Sequence, residues 1–218
     1  MNIFYLDNDP VECAKMHLDK HCVKMILEYA QLLSTAHRIL DGDIVVGTSK
    51  TGRKQTRYVL PDNRDTVLYS ATHVNHPSAV WVRQSDKNYQ WLYALFRACL
   101  DEYQYRYKRT HATSRVDDYL RLIPNSIPKG EFTDPTPAMP DECKVPGNHL
   151  ESYKRYYIDK KADMAKWTDR EPPTWFIEGI KNKDAYVQLS MQELRSQFRK
   201  DSKNGRPKKA RIGRVSRV

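Results

Sequence analysis

The stretch from Asp9 to Leu40, DPVECAKMHLDKHCVKMILEYAQLLSTAHRIL, most constrains the fold, because it reads as one long helix with two chemically distinct faces. Asp9 can cap its start, Pro10 suits the first helical position, and Glu12 stands where a capping-box carboxylate belongs. Val23, Ile26, Leu27, Ala30, Leu33, Ala36 and Leu40 recur at helical spacing and predict an apolar face, with Leu27, Ala30 and Leu33 buried. His17, His21, Lys24, Glu28, Gln31 and Thr35 follow at alternating steps of four and three, which stacks them along a second stripe. Solvated faces are usually filled with Lys–Glu pairs. This stripe mixes imidazoles, an amine, a carboxylate and an amide, the groups that move protons. It would equally serve as a polar face packed on neighbouring helices.

The remaining elements are marked by their punctuation. Asp41-Gly42 ends the helix, and Ile44–Val46 with Thr56–Leu60 flank a basic tip (Lys50, Arg53, Lys54), which predicts a β-hairpin insertion over about 43–61. Pro77 opens a short helix after His73-Val74-Asn75-His76, and Ser85 can cap a longer one carrying Tyr89, Leu92, Leu95, Phe96, Cys99 and Tyr103. The prolines and glycines from Pro124 to Gly147 predict an ordered, wrapping loop, since an idle connection would be shorter. A third helix is expected near His149–Trp167 and a peripheral one over Asp184–Lys200. The fold class is mostly α: one helical domain over 1–182, a helix over 183–200 and a basic tail over 201–218.

Charge is concentrated in that tail. From Arg195 onward ten Lys/Arg face the single acid Asp201, which accounts for nine of the net +10 of the 218-residue chain. A polar, Gly- and Pro-containing segment with Lys208, Lys209 and Arg211 should be disordered and bind a polyanion in a salt-sensitive way. A basic tail serving solubility alone is the plainer alternative. The four cysteines form no CxxC pair and read as reduced thiols, no apolar run reaches membrane length, and the acids in MNIFYLDNDP interrupt any signal peptide, so a cytoplasmic monomer is expected. His17 and His21 have metal-compatible spacing, but position 18 is Leu where HExxH needs Glu; neither a metal nor another cofactor is expected. No GxxxxGK, GxGxxG or GxSxG motif occurs.

Several short boxes resemble one family. An N-terminal helix bearing an acid is followed by Gly42, by Asn75-His76-Pro77, by a helix ending Glu102…Arg106-Tyr107, and by Pro173-Thr174-Trp175-Phe176. Over residues 1–178 this plan is similar to the pyrimidine-dimer DNA glycosylases, the phage endonuclease V-like proteins and their bacterial relatives. The resemblance implies base excision on double-stranded DNA, in which a terminal amine attacks deoxyribose C1′ and a carboxylate, here Glu28, assists sugar opening and strand cleavage. The family exposes its amine on a small second residue; Asn2 is larger and leaves Met1 in place. The amine is therefore expected on Met1 before Asn2, with Lys24 as second choice because a protonated His21 would depress its basicity. His17 and His21 complete the expected catalytic set, and Lys20, Gln31, Asn75, His76, Arg83 and Arg106 the DNA-contacting set. Other classes fit the same residues: a non-catalytic DNA-binding protein of this fold, or an enzyme modifying pyrimidine bases or nucleotides without cutting.

Overall fold

A computed structural model describes residues 1–48 and 51–204. Two compact units are present, Met1–Phe176 and a second beginning at Ile177, so the break falls before the expected position 182.

The long N-terminal helix is in fact two, α1 (Pro10–Met16) and α2 (Asp19–Asp41), separated by extended backbone at His17 and Leu18. Asp9 caps α1 as expected, accepting from Val11 N and Glu12 N. The break corrects the single-helix expectation, and its cause is tertiary. Arg106, at the end of α5 (Asp86–Tyr107), donates to the carbonyls of Lys15 and His17 at 2.9 Å each. Those carbonyls would otherwise continue the helical ladder; a buried guanidinium satisfies them instead.

With the break in place, α2 becomes the central helix. Cys22, Met25, Ile26, Tyr29, Ala30 and Leu33 form its inward face, and every residue from Leu32 to Arg38 is buried. Ala30 and Leu33 are buried as expected, but Leu27 and Val23 are 37% and 41% exposed. Met25 and Tyr29 occupy the core-facing positions in their place. Residues Ile3–Leu6 thread through the same core and are nearly inaccessible. The helices α1, α2 and α5 pack together, with α4 (Pro77–Val82) against α2.

Capping signals work where they were read. Pro77 opens α4 with the His76 imidazole accepting from Ser78 N, and Ser85 Oγ accepts from Asn88 N to start α5. Strands β1 (Asp43–Thr48) and β2 (Lys54–Val59) pair antiparallel, from Asp43↔Val59 to Thr48↔Lys54. Gly42 sits at the hairpin root; a Cβ there would lie 2.5 Å from Arg38 O and 3.2 Å from Val59 O. Short helices α3 (Arg64–Val67) and α6 (Asp117–Leu120) brace α2 and α5.

The proline-rich segment is ordered by side chains of the helices it wraps. Asp41 accepts from Asn125 N and Ser126 N, Asp86 from Gly130 N, and Asn88 from Thr133 N. It leads into α7 (His149–Lys160), which ends before Trp167, and then α8 (Thr174–Asn204), which begins ten residues ahead of the expected Asp184. The basic tail from 205, with Lys208, Lys209 and Arg211, lies outside the described residues, as do Ser49 and Lys50. Among the described residues no helix is long and apolar enough to cross a membrane.

Candidate active site

The N-terminus is held by its second residue. The Asn2 amide donates to Ala138 O at 2.9 Å, and its oxygen accepts from Ile3 N and from the Tyr153 hydroxyl, both at 2.8 Å. Asn2 thus clamps the chain start between α7 and the proline-rich segment, with its side chain fully engaged. This clamp lays the backbone against α2. Glu28 Oε2 accepts from Asn2 N–H at 3.2 Å and lies 3.9 Å from the Met1 amine. Its Oε1 lies 3.2 Å from Lys24 Nζ, one turn earlier on α2. The Met1 side chain is 4% exposed, so it is part of the packing.

These groups open onto a cavity of about 270 Å³ lined by Met1, Asn2, Phe4, His21, Lys24, Met25, Glu28, Tyr156 and Lys161. One wall is aromatic: His21 stacks on Phe4 at 3.9 Å, and the Phe4 and Tyr156 rings are nearly parallel at 6.1 Å. Lys161 Nζ lies 4.8 Å from the Tyr156 ring centre. Two amines therefore flank one carboxylate, and a third, that of Lys161, lies over the aromatic wall of the same cavity.

The two histidines take other roles than expected. His17 is fully buried outside the cavity. Its Nδ1 lies 2.7 Å from Cys13 O, a pure acceptor, so Nδ1 carries the proton and Nε2 accepts from the Tyr29 hydroxyl at 2.7 Å. The Tyr29 oxygen in turn accepts from Phe4 N. Burial pushes the His17 imidazole down to about 4, which keeps it neutral. It positions the N-terminal segment through Tyr29 and lies outside the cavity. His21 does line the cavity, but its Nδ1 is bonded to the Tyr157 hydroxyl at 2.7 Å. Burial first, then His17, Lys161 and Lys24, lower it to about 2. A neutral His21 cannot crowd Lys24 with positive charge, and that argument for Lys24 as the nucleophile falls. No three His, Cys, Asp or Glu side chains gather as a metal site among the described residues.

The expected DNA-contacting residues divide. Lys20 and Asn75 are exposed, and Gln31 is half-buried on α2 one turn after Glu28. His76 is half-buried; burial lowers its pKa and the nearby terminal ammonium lowers it further, while Glu28 opposes them. It does not line the cavity. Arg83 holds the turn from inside, donating to Val74 O and Ala79 O. Arg106 is no surface residue: its side chain is wholly buried, 2.7 Å from Glu102 and 3.1 Å from Asp19. Arg170 completes the cluster on Glu102 at 2.8 Å, and the two guanidiniums hold that carboxyl below its usual range despite burial. Reading Arg106 as a base- or phosphate-contacting residue is therefore wrong; it fastens α5 to the α1–α2 break.

Phe4 and Lys161 carry no motif, and Tyr156 reads in the sequence only as a packing residue of the third helix. No spacing pattern links them to Glu28; only the fold brings the chain start and α7 onto α2. Comparison of the chain with protein-family models, with curated proteins and with solved structures finds no match.

Proposed function

We propose that this protein is a DNA-acting enzyme of the glycosylase/lyase type, with the N-terminal amine as nucleophile and Glu28 as its acid–base partner. The observation that carries the reading is the 3.9 Å separation between the Met1 amine and Glu28 Oε2 at the mouth of a cavity with an aromatic wall. As a class, α-amines hold their protons less tightly than lysine side chains, so a larger share is nucleophilic near neutrality.

On this reading the steps are as follows. A modified or damaged pyrimidine leaves the stack and lies against Phe4 and Tyr156; the few kcal/mol needed for this are lowest for bases already badly paired. The amine nitrogen bonds to C1′, the glycosidic bond breaks, and its electron pair leaves with the base, which takes up a proton. Glu28 receives a proton from the attacking nitrogen, and opening of the ring C–O bond yields an imine. Removal of a C2′ proton then expels the 3′ phosphate, and water releases the amine. Lys24 and Lys161 suit the flanking phosphates.

Covalent trapping tests this. Duplexes carrying a pyrimidine dimer, an abasic site or a hydroxymethylated pyrimidine are incubated with protein and borohydride. A cross-linked band on at least one substrate, absent on undamaged duplex, is expected. Binding without any cross-link on all three would favour a non-catalytic DNA-binding protein.

A further inference from the structure

Among the described residues, the strands of the β1–β2 hairpin expose side chains on both faces. All its residues are exposed except Tyr58, which is half-buried, and Ile44, Val45 and Val46 are 66%, 46% and 57% exposed. A two-stranded ribbon with β-branched residues in water is marginal unless something covers it or holds its root. Here the root is held. Arg38 Nη1 donates to Tyr58 O at 2.8 Å and to Asp65 at 2.6 Å, Asp65 also accepts from Leu60 N, and Gly42 lets Arg38 O and Val59 O approach. The ribbon is a braced arm with a solvent-exposed outer part.

Its chemistry selects the occupant. Arg53, Lys54 and Arg57 face one acid, Asp43, across the described residues of the arm. A second copy would bring two positive arms together, whereas a polyanion would meet them favourably. The opposed pairs Ile44↔Tyr58 and Val46↔Thr56 share one face with Thr48↔Lys54, and Val45↔Arg57 lies on the other. A two-stranded ribbon fits the major groove of B-DNA, where apolar side chains meet thymine methyls and basic ones reach phosphates. Six residues per strand give an arm about 20 Å long.

We propose that this hairpin is a major-groove arm that grips duplex DNA at a distance from the reacting nucleotide; the proposal rests on the DNA reading above. The spacing is set by α2. Asp41 is thirteen helical steps beyond Glu28, so the arm's root lies about 20 Å along the helix axis from the carboxylate's Cα. That corresponds to roughly six base pairs at about 3.4 Å each. The arm therefore engages only one flank of the site.

Replacing Arg53, Lys54 and Arg57 together by Gln in the full chain tests it, with folding checked by circular dichroism, since these side chains are exposed. Affinity for an abasic duplex at about 150 mM salt should fall on the order of tenfold, and the slope of log K against log salt should shrink by about 2 to 3. The rate of imine trapping at saturating DNA should stay unchanged. Moving the abasic site to within about four base pairs of one end, but not the other, should erase the difference between wild type and variant. Unchanged affinity and slope, with trapping intact, would overturn the arm and leave the enzymatic reading standing. Wild-type protein that neither binds nor is trapped by any duplex would overturn both. A wild-type dimer that Ile44→Ser with Val46→Ser converts to monomer, with DNA affinity unaltered, would overturn the arm in favour of self-association.

Discussion

Glu28 and Met1 meet across the first turns of α2, with Oε2 3.9 Å from the terminal amine and the Asn2 N–H donating to the same oxygen at 3.2 Å. At 3.9 Å the carboxylate lies just outside hydrogen-bond reach of the amine, so a small side-chain shift or one bridging water lets it take a proton from the attacking nitrogen. Glu28→Gln keeps the shape and the hydrogen bond from Asn2 but removes the base. Single-turnover imine formation should slow by about 10²- to 10⁴-fold while duplex affinity changes little. Equal rates for the two proteins, read by borohydride quench, would remove Glu28 from the chemistry.

The adduct's position separates the candidate amines. Lys24 is 72% exposed and its neighbour His21 is uncharged, so its case as a nucleophile rests on its 3.2 Å ion pair with Glu28 alone. Peptide mapping of the reduced cross-link should place it on Met1. Lys24→Ala should still trap, and Lys161→Gln should weaken capture of DNA without relocating the adduct. Mapping to Lys24 would reverse the assignment.

Buried neutral histidines make stability sensitive to acid. His17 and His37 are both lowered to about 4, His17 by burial and His37 by burial and then by the guanidinium of Arg64. Depressed folded-state values favour proton uptake on unfolding. The stability they confer is complete above the free-imidazole value of 6.5 and is lost progressively as pH falls through about 4. Each histidine should contribute about 3 kcal/mol over that window. Urea midpoints should be level from about pH 8 to 7 and fall steeply between about 6.5 and 4; a level midpoint down to about pH 5 would contradict this.

Glu102 neutralises two guanidiniums, those of Arg106 and Arg170. Glu102→Ala leaves the buried Arg106 with only Asp19 as counter-charge, and unfolding free energy should drop by about 3 kcal/mol. The salt dependence of DNA binding should not change, because Arg106 reaches no surface. A variant of wild-type stability with a shallower salt slope would return Arg106 to the interface.

What the sequence determined by itself is local. Asp9 with Pro10, His76 with Pro77 and Ser85 with Asn88 are contacts within three residues, and the ends of α1, α4 and α5 lie where those residues put them. The hairpin is local too, and periodicity identified Ala30 and Leu33 as core. The tertiary structure decided the rest through contacts with no local signature. Arg106 ends α1 from 89 residues beyond His17, which removes His17 from the stripe on which helical spacing had placed it. Asn2 bonds Ala138 and Tyr153, and so carries the Met1 amine to Glu28. Periodicity records which residues share a face of one helix. It cannot record which distant side chain will satisfy a carbonyl or close a cavity, because that depends on segments meeting only after the core has formed.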